Sequence, residues 1–142
     1  MLSSYAAQSL QILLDAFPAF KDSVKEQEDY FEIEVRSPSG YELCISTDCN
    51  ELTVYFAEHH HHFSNFDEQK NIENLPAEDA AAAIQYLRDL LTGVTGIAVW
   101  YKNGKFLMSH TFLLQDGPYA YQTNFIQRWL MRKRTVDVRV WS

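Results

Sequence analysis

Four consecutive histidines, His59 to His62, sit in the interior of a chain that has five histidines in all. Neutral imidazole is a transition-metal ligand, and histidine is the side chain whose ordinary pKa lies nearest neutrality. In an extended segment His60 and His62 share one face with Glu58, while His59 and His61 point to the other, same-face neighbours being about 6.6 Å apart. A His-x-His pair can place two imidazoles on one zinc ion, but a catalytic zinc needs about three protein ligands and an open position. Glu58 and His110 are the third candidates, so the metal reading rests on His60, His62, Glu58 and His110, with zinc as its cofactor. An expression tag is a terminal feature, and this run is interior. The simpler reading needs no cofactor: the run ends a third strand as it leaves the sheet, some imidazoles solvated and one or two packed or hydrogen-bonded. Protonation of all five histidines would move the formal charge from −7 to −2, so partner affinity would respond to pH near about 6.5.

Other reactive residue types are sparse. Cys44 and Cys49 flank a turn without Cys-x-x-Cys spacing, which reads as a small buried hydrophobe and a turn residue. Glu32 and Glu34 alternate onto the polar side of a strand, where solvation is the usual role of a carboxylate, and no second carboxylate cluster supplies a general-acid partner. No nucleophile elbow, phosphate-binding loop or dinucleotide fingerprint is present. Arg128, Arg132, Lys133, Arg134 and Arg139 interleave with Trp129 and Trp141 in a pattern suited to RNA. Basic residues near a helix end are also favourable without a ligand.

The elements that must position these residues follow from size and periodicity. A chain of 142 residues is of ordinary single-domain size, and 46% apolar with 14% aromatic residues is far from a disordered composition. The start lacks the basic and apolar regions of a secretory signal, and two cysteines are too few for a disulfide framework, so a soluble cytoplasmic protein with no membrane contact is expected. Residues 1–124 carry 7 basic and 18 acidic side chains, a net −11, and the remainder 5 and 1, a net +4. An acidic body repels nucleic acid and attracts basic partners. The basic tail could pair with the acidic body of another copy, as a homo-oligomer would require.

Ala6, Leu10, Leu13, Leu14 and Phe17 predict an amphipathic helix halted by Pro18, with an extra turn through Phe20 and Val24. Phe31, Ile33 and Val35, then Tyr41, Leu43 and Ile45, then Leu52, Val54 and Phe56 predict a three-strand meander. Pairing odd with odd positions across Ser37-Pro38-Ser39-Gly40 requires an odd loop or a bulge; odd facing even across residues 48–51 requires an ordinary even loop. After a polar loop over 64–75, Pro76, Glu78 and Asp79 open a helix that Gly93 ends. Asn103-Gly104 predicts a hairpin pairing Tyr101 with Phe106, Val99 with Met108 and Ile97 with His110. Residues 119–134 are ambiguous, and Val136, Val138 and Val140 form a last strand. The order α-βββ-α-ββ-(α)-β predicts an α+β domain, an antiparallel sheet of about six strands with helices packed on it.

The stretch SPSGYELCISTDCNELTVYFAEHHHHF, residues 37–63, with IAVWYKNGK and the closing VRVWS, resembles a group of small uncharacterised bacterial α+β domains. Some domains of this general kind are immunity proteins of toxin systems. The resemblance implies a cytoplasmic, non-enzymatic binder that blocks a basic toxin through an acidic and aromatic surface, and it assigns no functional residue.

Overall fold

The computed structural model describes residues 1–64, 74–120, 126, 129 and 133–142. Helix α1 spans Ser4–Ala16 and begins where the Ser3 hydroxyl accepts the Ala6 N–H at 3.1 Å, satisfying one of the orphan donors of a helix start. It buries Ala6, Leu10 and Leu13, the stripe its spacing predicts. The expected extra turn is a 3-10 helix over Pro18–Ser23 that buries Phe20. Val24 does not continue it; it opens a short strand, β1 (Val24–Glu26).

Strands β2 (Phe31–Arg36), β3 (Glu42–Ser46), β4 (Leu52–Phe56) and β5 (His59–Phe63) follow, and β1 to β5 form one antiparallel five-stranded sheet in chain order. The Ser37 turn has the predicted irregularity. Val35 pairs with Leu43 and Ser37 donates to the Tyr41 carbonyl, leaving residues 38–40 as an odd loop closed by Gly40 at φ 89°. Gly40 can hold this left-handed conformation because it has no Cβ.

Helix α2 (Leu75–Leu91) carries Pro76 in its first turn, and its end has Gly93 at φ 75° with the Gly93 N–H on the Leu90 carbonyl and the Val94 N–H on the Asp89 carbonyl. This pair of bonds is the Schellman ending that glycine favours. Strands β6 (Thr95–Lys102), β7 (Lys105–Leu113) and β8 (Thr135–Arg139) make a second antiparallel sheet in the order β7-β6-β8.

The class is α+β and the strands are antiparallel, but among the described residues they number eight in two sheets, where the sequence predicts about six in one. The two strands beyond the expectation are β1 and β5, and the second sheet is built on β6, which is apolar on both faces. Ile97 and Val99 enter the main core with Leu10, Leu13, Ile33, Ile45, Val54 and Leu87, while Ala98 and Trp100 form a second core with Phe112, Met108 and Val136. A strand buried on both faces needs neighbours on both edges and cover above and below. A bulge between Trp100 and Tyr101 also corrects the hairpin: Tyr101 faces Phe106 as predicted, but Trp100 faces Met108 and Ala98 faces His110. The shift moves His110 to the second core, away from the face of Ile97.

Most of the ambiguous stretch 119–134, most of the loop 64–75, and Arg128 and Arg132 lie outside the described residues. Among the described residues no helix is long and apolar enough to cross a membrane.

Candidate functional site: a histidine strand and an acidic cleft

The histidines do not end the third strand; they form a strand of their own. Phe56 pairs with His59 across a two-residue turn in which Ala57 and Glu58 both have positive φ, 48° and 72°. That is the backbone of a type I′ hairpin turn, built here without the Asn or Gly that usually announces it. Leu52 then pairs with Phe63 and Val54 with His61, so His59, His61 and Phe63 take the inward face that Val54 and Phe56 occupy.

His59 bridges the two sheets. Its Nδ1 lies 2.9 Å from the Ser109 hydroxyl and its Nε2 3.3 Å from that of Thr111, both on β7. Burial, then the neighbouring imidazoles of His61, His60 and His110, hold its pKa down at about 4. His61 packs its ring against Phe63 at 4.5 Å and Tyr86 of α2 at 5.2 Å, and burial followed by His62 lowers its pKa although the residue keeps an exposed side.

The outward pair differs. The His60 ring stacks on Tyr55 at 5.0 Å, and the His62 ring stands edge-on to it at 4.9 Å. His62 Nδ1 lies 3.1 Å from the Glu51 carboxylate and 3.0 Å from the Thr53 hydroxyl, and Ser64 donates to the same Glu51 oxygen. The fold therefore brings His60 and His62 together on one face, as the alternation predicts.

It does not bring them Glu58 or His110. Glu58 sits in the turn and accepts a hydrogen bond from the Tyr101 hydroxyl at 2.9 Å. His110 lies in the second core, where Trp100 Nε1 donates to its Nδ1 at 3.3 Å and burial lowers its pKa against the raising effect of the Pro118 carbonyl. Among the described residues no three His, Cys, Asp or Glu side chains are placed to hold a metal ion.

Cys44 occupies the outer face of the five-stranded sheet, between Glu34 and Tyr55, and is only partly buried. Burial, then Glu32, Glu34 and Glu42, push its pKa up to about 11, which keeps it a thiol. Exposed Cys49 is in the turn at φ 56°, its pKa raised by Asp48, and both cysteines are free.

Two features had no sequence signal. The first is buried Asp79, which accepts from the Tyr5 hydroxyl at 2.7 Å and ties α1 to α2, where the sequence suggested only a favourable charge in a first turn. Burial, then Asp79, raises the Tyr5 pKa. The second is an open cleft of about 440 Å³ beside the start of α1 and the β3–β4 loop, lined by Ser3, Glu28, Asp29, Tyr30, Asp48 and Asn50 among others. Among the described residues its lining includes three carboxylates and no lysine or arginine.

Two residues of the tail, Arg139 and Trp141, are engaged within the chain. Arg139 donates to the Tyr41 and Tyr101 hydroxyls at 3.0 and 3.3 Å, pairs with Asp137, and lies over the Tyr41 ring. Trp141 packs on Phe56 at 5.9 Å. Arg139 and Trp141, which suited RNA as part of a sequence pattern, thus hold the last strand and the residues after it against Tyr41, Tyr101 and Phe56, while Trp129 is exposed.

Comparison with known protein families, curated proteins and solved structures finds no match to this chain.

Proposed function

We propose that this chain is a non-enzymatic protein-binding domain of the cytoplasm that docks on a basic protein and blocks it, as immunity proteins do among the general kind of small bacterial α+β domain its sequence resembles. The observation that carries this reading is the acidic cleft. Glu28, Asp29 and Asp48 line a concave site with no cation among its described lining residues. A concave, low-dielectric wall focuses the field of such charges, so the cleft favours an arginine or lysine side chain of a partner and speeds its encounter.

The outer sheet face is less suited to lead. Its Glu34 and Glu42 are already paired with Lys25 and Arg36. Tyr55, exposed on the same face, supplies an aromatic contact of the kind interfaces use.

Affinity capture from a bacterial lysate, with wild type and a Glu28→Lys/Asp29→Lys/Asp48→Lys variant as parallel baits, tests the reading. A basic protein held 1:1 by wild type, more weakly at high salt, and lost by on the order of a hundredfold in the variant is the expected result. Survival of the captured protein's activity at saturating chain contradicts blocking.

A further inference from the structure

The histidine strand places two imidazoles on a strand that is terminal in its sheet among the described residues. His60 and His62 present adjacent imidazoles outward, while no third ligand lies beside them among the described residues. Zinc in structural sites takes four ligands in a tetrahedron, and a second copy presenting the same pair of imidazoles would supply the other two. We infer that zinc joins two copies of this chain edge to edge through β5, each copy supplying His60 and His62.

Three observations converge on this arrangement. The first is the tautomer of His62. Glu51 and Thr53 both face its Nδ1, and Ser64 fixes the Glu51 carboxylate. A proton held on Nδ1 toward the carboxylate leaves Nε2 with its lone pair bare, which is the carboxylate–histidine arrangement that orients zinc ligands.

The second is the backbone. β5 is a terminal strand of its sheet, paired with β4 alone among the described residues. The pair flanking a two-residue hairpin turn is hydrogen-bonded, and such pairs recur at every second residue. His59, His61 and Phe63 therefore spend their main-chain groups on β4, and those of His60 and His62 point off the edge. Exposed edges are ordinarily guarded by charged side chains. β1, β7 and β8 each carry at least one Lys, Arg, Asp or Glu, whereas β5 is His-His-His-His-Phe.

The third is register. Antiparallel pairing of two β5 strands about a two-fold axis at His61 sets His60 of each copy opposite His62 of the other, using the outward main-chain groups. The Cα atoms of four histidines then occupy the corners of a rectangle of about 5.5 by 6.6 Å, with all four imidazoles on one face of a continuous sheet. The two-fold makes the surface self-complementary, as a closed dimer requires. With four neutral ligands the site is closed and structural in type.

Zinc chloride titrated into tag-free protein, followed by sedimentation velocity and metal analysis, tests this without reference to the partner proposed above. The expected result is a rise in mass from 16.5 kDa to twice that value, with one zinc per two chains, reversed by chelator. His60→Ala/His62→Ala should abolish both changes, and Glu51→Gln should weaken zinc binding about 10- to 100-fold at the same stoichiometry. A single-chain mass at saturating zinc, one zinc per chain, or a dimer that persists in the double variant overturns the inference; the wild-type stoichiometry decides even if the variant fails to fold.

Discussion

The two faces of β5 carry the same residue type under opposite physical conditions. His59 and His61 turn inward, to Ser109, Thr111, Phe63 and Tyr86, and burial favours their neutral forms. His60 and His62 turn outward, to Tyr55, Thr53 and Glu51. Identical side chains one position apart are therefore a packing element and an outward-facing pair, and only the two-residue period of the strand separates them. The lesson is that a run of one residue type has no single function when it lies on a half-buried strand.

Substitutions should separate the faces by the size of their effects. Phe63→Ala, at the inward end of β5, removes a ring that is 8% exposed and should cost ~3 kcal/mol in urea unfolding. A loss of under about 0.5 kcal/mol would mean that the strand is not anchored there.

Acid should come next. The His59 pKa lies at about 4 in the folded chain against about 6.5 unfolded, so between these values the unfolded state binds more protons. Its contribution is complete above about pH 6.5 and declines as pH falls toward 4. After discounting for partial exposure, ~1–2 kcal/mol should disappear across that window in chelator-treated protein. His61 and His110, also lowered, act in the same direction. His59→Leu should flatten the slope, and an unchanged slope would remove His59 as its cause.

Ala57→Asn should raise stability by ~0.5 kcal/mol, because Asn tolerates the positive φ that Ala57 adopts. A destabilised variant would contradict the turn assignment. His60→Ala, on the outward face, should change metal-free stability by less than about 0.5 kcal/mol, checked by the same unfolding curves.

Much of the fold could be read from parity and punctuation. The odd loop at Gly40, the even break after Ser46 and the stop at Gly93 are all dictated by which positions are apolar and where a left-handed residue fits. β5 escaped because Ala57 and Glu58 carry no turn signal, and alternation alone cannot tell a strand that ends from one that doubles back. The bulge at Trp100 escaped for a related reason, since an extra residue on a strand apolar on both faces leaves no break in hydrophobic pattern. That one-residue shift placed His110 beside Trp100 instead of on the face of Ile97. The pairing of His60 with His62 was legible because it depends only on local geometry; the Glu51 contact was not, because it depends on the unannounced turn between β4 and β5, and the acidic cleft was not, because it joins segments distant in sequence.

The most direct test of the two-faced strand is a pH titration of ¹³C-labelled histidine by NMR in metal-free protein, with the His59 signal assigned from a His59→Gln variant. The inward placement predicts a His59 midpoint near 4. A midpoint at or above the ordinary value of about 6.5 would place that imidazole in water and contradict the account.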